Sequence, residues 1–179
     1  MRNLLLVSVL AVIFTTGCAY TEITSYKDPD FSTASYSNLI VVVKTDDMKQ
    51  MVIGENSFEE IFRKLGVMLK KGHMIFKPTE KKTDAEMMQT FKDMNIDAVI
   101  KVTYKSKDTE TNIHASSHTI STSTTEYLKF TVDLIDVASG KNAWTASTQT
   151  QGEDLSMQTM MNSLADAVFM DLKQKNLLK

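Results

Sequence analysis

The chain has 179 residues, 20 basic and 22 acidic side chains, three histidines and one cysteine. A net charge of −2 without a basic face excludes a nucleic-acid-binding domain, and a lone cysteine excludes a disulfide framework. Two prolines and six glycines exclude a low-complexity or collagen-like chain.

At the N-terminus, Arg2 precedes an uncharged apolar run from Leu4 to Phe14. A bilayer span needs ~20 apolar residues, about twice this length. A basic start, a short apolar core and small residues make a secretory signal peptide, expected over residues 1–17. Thr15-Thr16-Gly17-Cys18 resembles a bacterial lipobox. That resemblance implies lipidation at Cys18, cleavage after Gly17 and a membrane partner held through the N-terminal lipid. Ala19 stands where an inner-membrane retention signal carries aspartate. The outer membrane, with the domain facing the periplasm, is therefore the expected location.

Roughly 160 residues remain, enough for one compact domain that buries most of its apolar surface without disulfides. Residues 18–37 read as a tether or a loosely docked arm, because Tyr26, Phe31 and Tyr36 are spaced within polar sequence. Residues 38–179 read as a single domain. "NLIVVVK", Asn38 to Lys44, is a valine-rich continuous run expected as a strand buried on both faces. Phe58, Ile61, Phe62, Leu65, Met68 and Leu69 recur at helical spacing. Ser57 and Glu60 suit a capping box there, and Gly72 a left-handed stop. "HMIFKP" reads as a short strand ended by Pro78. Thr83 and Glu86 make a second capping box, for a helix burying Met87, Met88, Phe91 and Met94 and ending at Asn95.

Three alternating segments follow: Ile96 to Lys105, Glu126 to Asp136 and Ala143 to Thr150. "ASGK" between the last two is a hairpin signal. A final helix is expected over Leu155 to Lys175, with Met157, Met161, Leu164, Val168 and Leu172 inward. The fold class is α/β (α+β): a five-stranded mixed sheet in the order β-α-β-α-β-β-β-α, helices packed on it. Right-handed crossovers place the first three strands parallel with the first in the middle.

Candidate chemistry is sparse. His114 and His118 are four apart, a metal spacing on a helix, but "TNIHASSHTISTSTT" is a poor helix former and brings no third ligand. The Ser/Thr-rich insert, residues 107–125, is a long connection between two strands or their protruding extension. Asp108, His114, His118 and Thr125 mark it as the expected partner-binding surface. His73 reads as a helix-end cation, Asp46 and Asp47 as a solvated turn, and the methionines as core. No Gly-x-Ser-x-Gly elbow, phosphate-binding glycine loop or His-Glu-x-x-His motif is present, so no cofactor, resident metal or catalytic residue is expected.

Asp136-Val137-Ala138-Ser139-Gly140-Lys141-Asn142-Ala143-Trp144 resembles the D-x-x-[TS]-G-x-x-x-W hairpin of small bacterial envelope lipoproteins. Ile96-Asp97-Ala98-Val99-Ile100 and Tyr26-Lys27-Asp28-Pro29 are similar to segments of the same proteins. More distantly, the chain resembles the lipoproteins that activate penicillin-binding proteins and the curli-secretion lipoprotein. The resemblance implies a compact α/β domain on a lipid leash, without catalytic residues. The expected function is a lipid-anchored, non-enzymatic accessory that binds an envelope protein. An oligomerising assembly or export component and a small metal-dependent hydrolase are the alternatives.

Overall fold

The computed structural model describes residues 19–77, 79–80, 82–115 and 120–179. Cys18 and His118 lie outside the described residues. The elements in chain order are β1 (Tyr20–Lys27), β2 (Leu39–Lys44), α1 (Met48–Lys64), β3 (Leu69–Lys71), α2 (Asp84–Asp93), β4 (Ala98–Ala115), β5 (Ile120–Asp136), β6 (Asn142–Glu153) and α3 (Met157–Gln174). The six strands form one mixed sheet in the order β1-β6-β5-β4-β2-β3.

The sheet therefore has six strands, not five, and the chain enters it with a strand. Tyr20–Lys27, expected as part of a tether, pairs antiparallel with β6 along its whole length. The residues that β1 turns toward α3 are Thr21, Ile23, Ser25 and Lys27, only one of them aliphatic. Their polar groups are satisfied inside the fold. Thr21 Oγ1 lies 2.9 Å from both Thr150 Oγ1 and Ser163 Oγ, and Lys27 Nζ donates to the Lys175 carbonyl over 2.9 Å.

β2 has the two-sided burial its sequence predicts. Leu39, Val41 and Val43 join the larger core beneath α1 and α3, while Ile40 joins a smaller one beneath α2. β2 lies between β3 and β4, parallel to both. On the larger core's side, Ala98, Ile100 and Val102 of β4, Leu128 to Leu134 at alternate positions of β5, and Trp144 and Ala146 of β6 face the two helices. Phe62 stacks with Phe58 at 6.0 Å and meets Phe169 of α3 edge-on at 5.2 Å. Such aromatic pairs are worth ~0.5–1.5 kcal/mol beyond their buried area. Gly54 lets α1 approach closely, since a Cβ there would sit 3.0 Å from Val43 Cγ2 and 3.1 Å from Met161 Cε.

Local signals at the helix ends divide. The Thr83–Glu86 capping box is formed, and Asn95 ends α2 with φ 54°. The Ser57–Glu60 box is not. Helix α1 starts nearly three turns earlier than expected, capped by Asp47 accepting from Lys49 N and Gln50 N. Ser57 lies buried in mid-helix, where its hydroxyl accepts from Gln158 Nε2 at 2.6 Å. Gly66 at φ 88°, rather than Gly72, provides the left-handed residue after α1. "HMIFKP" is not a strand: pairing ends at Lys71, and Gly72–Met74 form a 3-10 turn.

Candidate functional site

Of the two alternatives for the expected contact segment, its described residues, 107–115 and 120–125, form the protruding extension of the strands. β4 and β5 pair without interruption from Ser106–Lys129 to Ala115–Ile120. A bulge between Tyr104 and Ser106 bends β4 just before this stretch. β2 stops at Lys44, opposite Thr103, and β6 stops at Glu153, opposite Thr125. Beyond Thr125 the hairpin is a two-stranded ribbon. Threonine, serine and alternating polar residues build it because β-branched side chains favour the extended backbone.

The root of this ribbon is charged. Lys107 Nζ meets Glu126 Oε1 at 2.6 Å, Lys129 Nζ meets Asp108 Oδ2 at 2.8 Å, and the Tyr127 hydroxyl donates to Glu110 Oε2 at 3.2 Å. Asp108 is thus a cross-strand ion-pair partner, and Thr125 lies opposite both Glu110 and Glu153. His114 is in β4, its backbone opposite Ser121. Among the described residues no cluster of three metal-ligating side chains occurs.

A second constellation sits at the opposite end of the sheet, where the hairpin motif and the Ile96–Ile100 segment come together. Asp97 Oδ2 accepts from Ser37 N, Asn38 N and the Ser37 hydroxyl, at 2.9–3.1 Å. Its burial opposes the charge, but the Asn38 and Ser37 donors and the nearby Lys179 together hold its pKa below the usual carboxylate value. Asp136 Oδ2 accepts from Ser139 N and Ser139 Oγ, closing the turn before β6. Val137 N donates to the Asp97 carbonyl at 3.0 Å, joining the two motifs. Beside them is Tyr36, 5% exposed, whose hydroxyl has no hydrogen-bond partner among the described residues. Burial, followed by the negative charge of Asp136, the approach of the hydroxyl to that carboxylate short of good hydrogen-bond geometry, and then Asp97, pushes its pKa up. These groups line an open cleft of about 500 Å³.

An apolar cleft of about 160 Å³ opens between α2 and the sheet, lined by Val42, Met87, Met88, Phe91 and Ile135. Asp84 lies at its mouth, 2.7 Å from Lys44 Nζ and 3.7 Å from Lys101 Nζ. The Lys44 hydrogen bond holds Asp84 below its ordinary pKa. Met87, Met88 and Met94 pack against the smaller core, and Met160 and Met161 are buried in the larger one.

His73 does not sit at the end of α1, which stops at Lys64. Its Nδ1 lies 2.6 Å from Glu55 Oε2, and its backbone N–H donates to the same oxygen at 2.8 Å. Glu55 is only 1% exposed, and its other oxygen accepts from Val43 N at 3.2 Å. The carboxylate thereby ties α1 to β2 and to the turn after β3. The sequence carries a signal for it. Glu55 stands three and seven residues before Phe58 and Phe62, an acid on the buried stripe.

Neither a known protein family nor a curated protein matches the chain by sequence. Solved structures do match by shape. PelC from Paraburkholderia phytofirmans, solved as a dodecamer, aligns over 89% of this chain and 99% of its own, at 15% identity and a TM-score of 0.56. The chain shares the PelC fold. A substituted form of PelC, also a dodecamer, aligns over 84% and 98%, at 15% identity and a TM-score of 0.55. Lipoprotein GNA1162 from Neisseria meningitidis aligns over 79% and 99%, at 16% identity and a TM-score of 0.45. At these identities the likeness to PelC is one of fold.

Proposed function

We propose that this chain is a bacterial envelope lipoprotein, anchored through acylated Cys18, that acts by binding another protein and not by catalysis. The observation that carries the reading is the ribbon. Its two strands offer backbone N–H and C=O groups with no neighbouring strand past Lys44 on one side and Glu153 on the other. A two-stranded ribbon is marginally stable by itself, and open strand edges are templates for pairing. The charged root around Asp108 and Thr125, together with the unpaired side of β1, forms the contact surface in this reading. The lipobox-like Thr15–Cys18 and the lipoprotein-like hairpin motif support the envelope location.

Site-specific photo-crosslinking tests it. A photoreactive residue at Asp108 or Thr125, in the living host, yields one discrete envelope-protein adduct that the same probe at Leu65 does not. Identical adduct patterns from all three positions overturn the contact surface. Mass analysis of the mature N-terminal fragment tests the anchor, and a free, unacylated Cys18 overturns it.

A second reading is self-assembly, favoured by the PelC fold shared with two dodecameric structures. Light scattering on the purified chain separates the two. A strict monomer at all concentrations rules out rings.

A further inference from the structure

Only Ala19 separates Cys18 from the first residue of β1, and Ala19 is itself packed against the core. Two residues of extended chain reach at most ~7 Å. An anchor on Cys18 therefore holds the domain flush, with no leash.

Register fixes which end of the sheet is held. Tyr20 lies opposite Gln151, Gln151 opposite Tyr127, and Tyr127 opposite Asp108. These four form one row across the sheet. Followed back from Tyr20 toward Cys18, the chain runs toward the ribbon, the direction in which β6 continues to Glu153 and β4 to Ala115. Two residues beyond the row, Glu110 lies opposite Thr125 and Thr125 opposite Glu153. That is the furthest level Cys18 can reach.

The chain's formal charge stops at the same level on both strands. Glu110 is the last acidic or basic residue of β4 and Glu126 the first of β5, and none lies between them. The ribbon nevertheless continues from Glu110 to Ala115 and from Thr125 back to Ile120. At ~3.3 Å per residue this is ~16 Å past the anchor level.

We propose that the distal ribbon, Thr111–Ala115 and Ile120–Thr124, lies in the phospholipid headgroup layer of the membrane that holds Cys18. The proposal rests on acylation of Cys18. Acyl chains must enter the hydrocarbon, so the bilayer surface stands near Glu110. Charged side chains become costlier the deeper they are carried past that level, up to ~2.5–3.5 kcal/mol at the bilayer centre. Apart from the imidazole of His114, the described ribbon carries hydroxyl, amide and aliphatic side chains, which escape that cost. The hydrocarbon itself is closed to the ribbon, because its outer N–H and C=O groups would be unpaired there. The headgroup layer is ~5–7 Å deep on each side, so a ribbon this long lies obliquely within it. Tyr20, 57% exposed, stands at the boundary row, where tyrosine suits a surface wet on one side and apolar on the other. Ile113, 69% exposed, is the apolar contact on the lipid side. With no lysine, arginine, aspartate or glutamate on the ribbon, seating is insensitive to salt above the ordinary histidine pKa.

The test places a fluorophore on the ribbon. Ile113→Trp and, at the far end of α1, Leu65→Trp are each compared with the wild-type chain, whose single indole is buried. Cys18 is coupled to a maleimide lipid in phosphatidylcholine vesicles, so the readout does not depend on native acylation. Co-sedimentation confirms attachment. The expected result is loss of the added emission to a headgroup nitroxide with Ile113→Trp and none with Leu65→Trp, unchanged between low and high salt. No quenching at either position overturns the proposal, as does quenching at both, which means a domain lying on its side. Stronger quenching by brominated acyl chains than by the headgroup probe also overturns it. So does a blue shift of the Ile113→Trp emission that appears without lipid and rises with protein concentration, which means self-association. An unacylated N-terminus in the native host overturns the proposed function and, with it, this placement in the native membrane, whereas failure of the vesicle test overturns this placement and leaves the anchor standing.

Discussion

The Trp144 indole Nε1 donates to Asp171 Oδ2 over 2.7 Å, joining the hairpin strand β6 to helix α3. The same oxygen accepts from the Ser25 hydroxyl of β1 at 2.8 Å, and Lys175 Nζ lies 3.1 Å from Oδ1. One carboxylate thus ties together the two strands at one side of the sheet and the helix that covers them. Trp144 is 1% exposed, so its N–H must be paired inside the fold. Hydrogen bonds to a charged acceptor are worth ~1.5–3 kcal/mol each. Asp171→Ala is expected to cost about 3 kcal/mol in urea unfolding, within that range. It also shifts the emission of the sole tryptophan, because its N–H loses the acceptor. Asp171→Asn keeps one acceptor oxygen and costs less.

Glu55 makes the corresponding tie on the other side of the molecule. Removing it leaves the Val43 and His73 backbone donors unpaired in a buried place. Each orphaned donor costs ~1–3 kcal/mol, so Glu55→Ala is expected to lose about 3 kcal/mol of stability. Hydrogen exchange at the Val43 and His73 amides reports the loss locally. Unchanged protection at both amides contradicts the assignment.

Why some elements were legible and others not follows from these pairs. β2 announced itself because five successive apolar residues bury both of its faces. β1 did not, because its inward side is Thr21, Ser25 and Lys27 with Ile23, and their partners are polar groups of α3 about 140 residues away in the chain. No local pattern encodes that. The start of α1 differs because Ser57 and Glu60 match a capping box by sequence but lie inside the helix, where the Ser57 hydroxyl is taken by Gln158 of α3. Gly54 and Glu55 before them are explained by tertiary contact: Gly54 by its approach to Val43 and Met161, Glu55 by the backbone donors it receives. The ribbon's strands were hidden by their polarity. They bury no core face, so alternation had nothing to alternate with.

Tyr36 offers a test of opposite sign. Its ring is buried, and its backbone pairs with Leu177 and Lys179. The hydroxyl forms no hydrogen bond among the described residues and faces negative charge. Removing an unsatisfied polar group is neutral or favourable, because the desolvation penalty disappears with it. Tyr36→Phe is expected to leave stability unchanged or to raise it by up to about 1 kcal/mol, whereas Tyr36→Ala leaves a cavity and costs ~3–5 kcal/mol. A destabilised Tyr36→Phe would show that the hydroxyl has a partner after all.

Asp97 gives the fold a pH dependence whose direction is fixed by geometry. Its folded-state pKa is below the ordinary value, because the Ser37 and Asn38 donors and Lys179 outweigh its burial. A carboxyl with a depressed folded pKa binds protons more readily when unfolded. Its contribution is therefore fully present above the unfolded pKa and disappears as pH falls through the folded one. Stability of the wild-type chain should drop across this acidic window, while Asp97→Asn, already uncharged, should have a flatter profile and lower stability at neutral pH. Urea midpoints measured from neutral pH downward test this. Parallel profiles for the two chains would mean that Asp97 titrates alike folded and unfolded, contrary to the three donors it receives.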